Sequence, residues 1–152
     1  MKREQMVFCI SESAYDLHLT KGKEYKIYAI GTGSKEGKIR IKGKMGRLVW
    51  IPELCFSLKA PPTISSIIFE DELENHQMSF TDVTIELDHN EKRWLTFITL
   101  KQLDKSLNDH RDYISGNKLI LLRAITKANI IKIIDQLDRQ GEIIENSTLL
   151  IS

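Results

Sequence analysis

Hydrophobic and polar residues alternate along several short segments of the first 60 residues. The clearest are 24–30 (EYKIYAI) and 38–42 (KIRIK). A short apolar run, MVFCI, precedes them at 6–10, and RLVWI at 47–51 is the expected return strand of a hairpin with 38–42. Alternation with a period of two is typical of a strand with one buried and one exposed face. Glycine-containing turns separate the segments, and short strands joined in this way indicate a small barrel or sandwich. We expect residues 1–60 to form an all-β small barrel.

Two adjacent prolines mark a change in the pattern. Pro61 and Pro62 hold the backbone extended and remove two amide donors. We expect a module boundary there, with the second module at residues 63–152. The first three strands predicted in this second module are 63–70, 81–88 and 92–99.

Two helices are predicted in the second module, and a threonine precedes each of them. Thr99 and Gln102 have the spacing of a capping box, and the apolar pattern continues to about Asn108. Thr126 is the expected cap of the second helix, and Gly141 suits its C-terminal end. Two helices of ordinary length are therefore expected.

Two further segments complete the predicted order. Residues 118–125 are almost entirely apolar, which predicts a central strand covered on both faces. Residues 143–152 are expected to supply a final strand. The order becomes β-β-β-α-β-α-β, an α+β module whose helices cover one face of a mostly antiparallel sheet.

Charge is distributed unevenly between the two predicted modules. Residues 1–62 hold twelve Lys and Arg against six Asp and Glu, a net of +6, whereas the remainder holds ten against fifteen, a net of −5. Such asymmetry fits a basic module that binds a partner. It equally fits two modules that dock on each other, or two copies that pack basic to acidic.

The apolar content indicates a soluble globular protein, and the two cysteines give no sign of a disulfide or a reactive site. Hydrophobic residues make up 41% of the chain and charged residues 28%. No apolar run approaches the roughly 20 residues of a membrane span, and MKREQMVFCI lacks the apolar core of a secretory signal. We expect a cytoplasmic protein without membrane association, in which Cys9 and Cys55 are buried thiols.

The residues that could carry chemistry do not form a recognisable site. Gly31, Gly33 and Gly37 are spaced one residue too widely for the dinucleotide fingerprint, and they precede a strand where that motif needs a helix. The four histidines fall in predicted loops, and none pairs with another His or a Cys at metal-ligand spacing. We therefore expect no enzymatic activity, no cofactor and no metal.

A cationic row on the predicted strand at 38–42 is the first candidate binding surface. The lysine and arginine side chains there share one face, and the isoleucines share the other. Oligonucleotide-binding barrels combine such cations with aromatic rings on which bases stack. The candidate nucleic-acid-binding residues are Lys38, Arg40, Lys42, Lys44, Arg47 and Trp50.

An acidic segment in the second module is the other candidate. Its carboxylates are Glu70, Asp71, Glu72 and Glu74. A run of like charge is usually a solvated loop, but it can engage a basic protein partner. Trp94, which lies beside Arg93 in the predicted hairpin, is expected to be packed.

The first module resembles the small Src-homology-type β-barrels that are common in short bacterial proteins. The run LTKGKEYKIYAI and the later KIRIKGKMGRLVWIPELCF have their pattern of a Leu-Thr-x-Gly-Lys-x-Tyr segment, a strand, a glycine turn and a terminal Phe. The resemblance covers about a third of the chain and implies a module that binds other macromolecules. The matching residues are Leu19, Thr20, Gly22, Lys23, Tyr25 and Phe56.

The second module resembles cytoplasmic immunity proteins of bacterial toxin systems. The resemblance rests on its strand, hairpin and helix pattern and on Trp94, from TDVTIELD to LLRAITKANIIKIIDQLD. It implies a non-catalytic protein that binds and blocks a toxin. Immunity proteins against nucleases are often strongly acidic, and the net charge of +1 does not fit that subtype.

Two functions follow as expectations. The first is a non-catalytic protein-binding protein, such as an immunity factor, whose acidic segment meets a basic partner and speeds association. The alternative is a nucleic-acid-binding protein that uses the basic first module.

Overall fold

The structure is a computed structural model and describes residues 1–69, 73, 80–110 and 118–150. It is a mixed α+β fold with mostly antiparallel sheets. The chain divides into two compact units, and the short segment Arg139–Glu142 belongs to the first unit although the residues on either side of it belong to the second. Unit 1 comprises Met1–Pro62 with Arg139–Glu142, and unit 2 comprises Thr63–Asp138 with Ile143–Ser152.

Unit 1 contains two open three-stranded sheets. One sheet has the order β2-β1-β6 and the other has the order β3-β4-β5, with every pairing antiparallel. The described strands therefore do not close into a single hydrogen-bonded barrel. The strands are β1 (Met6–Cys9), β2 (Glu24–Lys26), β3 (Ala29–Ile30), β4 (Lys38–Lys42), β5 (Leu48–Pro52) and β6 (Phe56–Ser57).

The continuous segment 24–30 belongs to both sheets of unit 1. The amide of Ile27 donates to the Gln5 carbonyl at 2.9 Å in the first sheet. One residue later, the amide of Tyr28 donates to the Arg40 carbonyl at 2.8 Å in the second sheet. The two sheets share one apolar core because the same segment supplies both. Its buried members are Val7, Cys9, Leu19, Tyr25, Ile27, Ile39, Ile41, Ile51, Cys55 and Phe56.

A buried carboxylate is fully partnered inside unit 1. Glu12 is 5% exposed, and its Oε1 accepts the amide of Lys21 at 3.0 Å. Its Oε2 accepts Nε and Nη2 of Arg139 at 3.1 and 2.9 Å. Because a buried charge needs both a counter-charge and hydrogen bonds, these contacts explain how Glu12 is tolerated there.

Unit 2 has five strands and three helices among its described residues. Two antiparallel hairpins join β7, β8 and β9, while β10 is parallel to β9. The short β11 also pairs with β9. The elements are β7 (Ile64–Phe69), β8 (Phe80–Leu87), β9 (Lys92–Thr99), α1 (Leu100–His110), β10 (Leu119–Leu122), α2 (Lys127–Gln140), α3 (Ile143–Asn146) and β11 (Thr148–Leu149).

One face of this sheet packs against α2 and α3. Ile130 and Ile134 of α2 and Ile143 of α3 are buried together with the alternate residues of β8 and β9. The spacing of the two α2 residues places them on one side of the helix. The strand residues of this core are Val83, Ile85, Leu87, Leu95 and Phe97.

Both predicted helix caps are present, and both are local interactions. The Thr99 hydroxyl accepts the amide of Gln102 at 3.3 Å, so α1 begins where the capping box predicts. The Thr126 hydroxyl accepts the amide of Asn129 at 3.2 Å at the start of α2.

Two predictions for the last third of the chain are wrong. The apolar segment 118–125 contains an edge strand of the described sheet, since β10 pairs only with β9, and Leu121 is 50% exposed. Residues 143–146 form the short helix α3 where a strand was expected. The described residues of unit 2 therefore contain three helices, and within 143–150 only Thr148–Leu149 extends the sheet.

Candidate functional site

The acidic segment expected to meet a basic partner lies outside the described residues. Glu70, Asp71, Glu72 and Glu74 follow β7, which ends at Phe69. That prediction therefore stays a prediction, and the surfaces below come from the described part of the chain.

The cationic row lies on the outer face of the second sheet of unit 1. In β4, Ile39 and Ile41 are fully buried, whereas Arg40 and Lys42 are exposed and Lys38 is half-buried. Alternate residues of a strand are about 6.7 Å apart, so the three cations form an evenly spaced row.

An aromatic ring lies beside the middle cation of that row. Trp50 is the cross-strand partner of Arg40, and the Arg40 Cζ lies 5.9 Å from the centre of its ring. Trp50 is half-buried, and the exposed Leu48 pairs with Lys42 on the same face. The outer face thus combines cations with apolar and aromatic surface.

The hairpin after β4 extends this surface. Lys44 and Arg47 are exposed there, and the Lys44 ammonium donates to the Asp16 carbonyl at 2.8 Å. No described carboxylate lies within ion-pair distance of the five cations. We call this surface the basic face, and it consists of Lys38, Arg40, Lys42, Lys44, Arg47 and Trp50.

The sheet of unit 2 has a second candidate surface on the face opposite α2. Ile68, Thr84 and Trp94 are cross-strand partners in one row. Trp94 is 44% exposed, so the expectation that it is packed is wrong. A second row places Phe80 and Leu121 on either side of Ile98, and both are exposed. We call the surface of Ile68, Phe80, Trp94 and Leu121 the Trp94 face.

Polar side chains on the Trp94 face are paired with one another. The Thr96 hydroxyl donates to Oδ1 of Asp82 at 2.6 Å between the two apolar rows. At the other end, the Lys92 ammonium lies 2.8 Å from Glu86. This ammonium and the Ser66 hydroxyl hold the pKa of Glu86 below its usual value. The pairing lets a partner cover these groups without leaving them unsatisfied.

A buried arginine on the opposite face, Arg93, has a structural role that is not evident from its neighbours in the sequence. The Nε of Arg93 donates to the Ser147 hydroxyl at 2.7 Å, and its Nη2 donates to the carbonyls of Ile144 and Ser147 at 3.1 Å. Its Nη1 lies 2.7 Å from Glu91. These bonds attach α3 and β11 to the edge of β9. The partners are distant in sequence, so no local pattern signals them.

The two cysteines have the chemistry of buried apolar residues. Cys9 is fully buried, and burial raises the pKa of its thiol to about 12. Burial also raises the pKa of Cys55. Because the thiolate is the reactive form, neither is poised as a nucleophile. In the described ranges, no three His, Cys, Asp or Glu side chains lie close enough together to hold a metal ion.

Comparison of the chain with protein families, with curated proteins and with solved structures finds no match. None of the helices in the described part of the chain is long and apolar enough to cross a membrane. The case for function therefore rests on the two surfaces.

Proposed function

We propose that this chain is a non-catalytic protein-binding protein and that the Trp94 face receives its partner. The observation that carries the proposal is the exposure of Trp94 at a position of β9 that is paired with an antiparallel strand on each side. Tryptophan is enriched among residues that dominate binding energy, and strands hold such a ring in a fixed position. Exposed apolar residues that share one face are a feature of interaction surfaces.

The size of the exposed ring sets the expected effect. A Trp side chain buries up to about 250 Å², so the 44% that remains exposed corresponds to roughly 100 Å². Covering that area contributes about 2.5 kcal/mol at about 25 cal/mol per Å². Loss of the ring should therefore weaken a complex by roughly 50-fold.

The chemistry of the face indicates the kind of partner. Ile68, Phe80 and Leu121 require apolar groups on the other protein, and the Asp82–Thr96 pair between them can share hydrogen bonds. The resemblance to immunity proteins supports a toxin as the partner and the cytoplasm as the compartment. The carboxylates Glu70, Asp71, Glu72 and Glu74, which follow β7 in the sequence, would speed association with a basic toxin.

The same proposal assigns unit 1 to the small Src-homology-type barrels, in an open form. Two features support this assignment. The segment 24–30 is shared by two three-stranded sheets. Leu19 and Tyr25, which match the barrel sequence pattern, are buried in the core of unit 1. Such a module would add a second binding surface to the chain.

The test compares two variants of the tagged full chain expressed in its own cells. Trp94→Ala removes the proposed anchor, and Leu54→Ala is the matched control because Leu54 is 75% exposed in unit 1. We expect one protein to be recovered with the wild type and the control and depleted with Trp94→Ala. With that protein purified, titration calorimetry should show a Kd at least tenfold higher for Trp94→Ala than for the control.

Equal recovery and equal affinity for the two variants would refute the role of the Trp94 face. Charge reversal at Glu70, Asp71, Glu72 and Glu74 tests the steering role separately. We expect slower association and a weaker dependence of the association rate on salt. Unchanged kinetics would remove the acidic segment from the proposal.

A further inference from the structure

The basic face has a composition that solubility alone does not explain. Five cations lie on one sheet face and its hairpin, and none of them has a described carboxylate within ion-pair distance. Elsewhere in unit 1, Lys26 is paired with Glu4 and Arg139 with Glu12, whereas Lys35 and Lys59 are single exposed cations at other positions of the chain. The five cations of the basic face differ from these in their proximity, because β4, β5 and the hairpin between them bring all five onto one surface.

The apolar part of the same surface is the second observation. A merely solvated face needs no large ring, yet Trp50 lies between the cations with part of its surface open to solvent. The Arg40 guanidinium lies over that ring, which holds its planar group at the sheet surface. The exposed Leu48 lies next to Trp50 on the Lys42 side of the same face. Cations, a guanidinium plane and a ring are thus combined within two strands.

We propose that the basic face binds single-stranded nucleic acid. The phosphodiester backbone follows the row Lys38, Arg40 and Lys42 towards the hairpin, and a base stacks on the Trp50–Arg40 pair. Every base has a flat face that an aromatic ring or a guanidinium can cover, so such a site tolerates different sequences. This inference uses unit 1 and does not depend on the protein-binding role of the Trp94 face.

The shape of the surface favours a single strand over a duplex. The bases of a duplex are stacked on one another and are not available to Trp50. A major groove admits an α-helix or a two-stranded ribbon. Between Met1 and Pro62 the helical segments are turns of three residues, and β4 and β5 belong to a three-stranded sheet with β3. A strand whose bases are unstacked can lie flat on the face of β4 and β5.

The test is a fluorescence-anisotropy titration of the full chain with a labelled oligonucleotide of mixed sequence. Single-stranded DNA, single-stranded RNA and the corresponding duplex are compared at about 50 and 200 mM salt. Three to five neutralised phosphates predict a slope of roughly −2 to −3.5 in log K against log salt. The fourfold increase in salt should then weaken single-strand binding by roughly 20- to 100-fold.

Variants separate the two parts of the site. Lys42→Gln and Arg40→Gln should each lower affinity and reduce the salt slope by about 0.7. The matched control Lys59→Gln removes an exposed lysine elsewhere in unit 1 and should change neither. Trp50→Ala should lower affinity about tenfold or more with the salt slope retained, because stacking carries no charge.

An intrinsic signal reports the stacking without disturbing the ring. The chain has two tryptophans, so Trp94→Phe leaves Trp50 as the only source of tryptophan fluorescence. Single-stranded oligonucleotide should quench that fluorescence at saturation, whereas an oligoglutamate of equal charge should not.

Four results would overturn the proposal. One is the absence of an anisotropy change with either single strand at the lower salt concentration. Another is an equal loss of affinity in Lys42→Gln and Lys59→Gln. The third is competition by oligoglutamate that is as effective as competition by oligonucleotide, and the fourth is a preference for the duplex. Either of the last two results would assign the basic face to a different polyanion.

Discussion

The substitution Arg93→Met tests whether a buried guanidinium holds the last elements of unit 2 in place. Arg93 is 9% exposed, and three of its hydrogen bonds go to α3 and to Ser147, which precedes β11. Methionine has a similar length and fills much of the same space, so the change removes the donors and leaves little cavity.

The expected loss in the free energy of unfolding follows from the hydrogen bonds that each acceptor of Arg93 keeps in the variant. The Ser147 carbonyl still accepts the Lys118 ammonium at 2.6 Å, and the Ser147 hydroxyl still donates to the Ile143 carbonyl. The Ile144 carbonyl loses the bond from Arg93. The Glu91 carboxylate also loses its contact with the guanidinium, but its side chain is 42% exposed and can bond to water. A hydrogen bond to a charged group contributes about 1.5–3 kcal/mol, and methionine avoids the cost of burying the charge. We expect a loss of about 2 kcal/mol in the free energy of unfolding.

Urea unfolding followed by circular dichroism measures this loss. With a slope of about 2 kcal/mol per M, the midpoint should fall by about 1 M. Arg123→Met makes the same change at an exposed arginine of unit 2 and should shift the free energy by less than about 0.5 kcal/mol. Hydrogen exchange should show faster exchange at the amide of Leu150, which donates to the Lys92 carbonyl. Equal midpoints for the two variants would refute the anchoring role of Arg93.

Three further predictions concern Gly31, Glu86 and the two cysteines. Gly31→Ala should destabilise unit 1 by about 1–3 kcal/mol, because an added Cβ would lie 1.8 Å from the Lys35 carbonyl oxygen; a urea midpoint equal to that of the wild type would contradict this. The lowered pKa of Glu86 means that its carboxylate stabilises the fold above the unfolded pKa of about 4.3, and that this contribution is lost as the pH falls through the lower folded value. Between about pH 6 and pH 3, the wild type should therefore lose more stability than Glu86→Gln, and parallel losses would be the contrary result. Cys9 and Cys55 should react with a thiol reagent at about pH 8 at least 100-fold more slowly in the folded chain than in denaturant, and fast labelling of the folded chain would show that they are accessible.

Local signals predicted the features that depend on neighbouring residues. The caps at Thr99 and Thr126 and the buried isoleucines of β4 each involve residues a few positions apart. The basic face was predictable for the same reason, since alternation along one strand places Lys38, Arg40 and Lys42 together. Its Trp50 partner follows from a hairpin whose glycine turn is also local.

Features set by distant partners could not be predicted in this way. The apolar composition of 118–125 does not reveal that β10 has only one neighbour in the described sheet. The Trp94 face likewise depends on the register of β7, β8, β9 and β10, which brings its four exposed residues onto one side. The segment 143–146 (IIEN) fits either a short strand or a helical turn, and the long-range bonds of Arg93 accompany the helix.

The divided edge of β9 has a consequence for the growing polypeptide. The parallel strand β10 covers Thr96–Thr99, while β11 covers Arg93 and Trp94 from the other direction. Arg93 and Ser147 are 54 residues apart. During synthesis, the edge of β9 at Arg93 and Trp94 therefore stays unpaired until β11 has been made. An uncovered strand edge is a template for pairing with other chains. The interval between the synthesis of β9 and of β11 is therefore a period of aggregation risk, and slower translation of residues 100–147 would lengthen it.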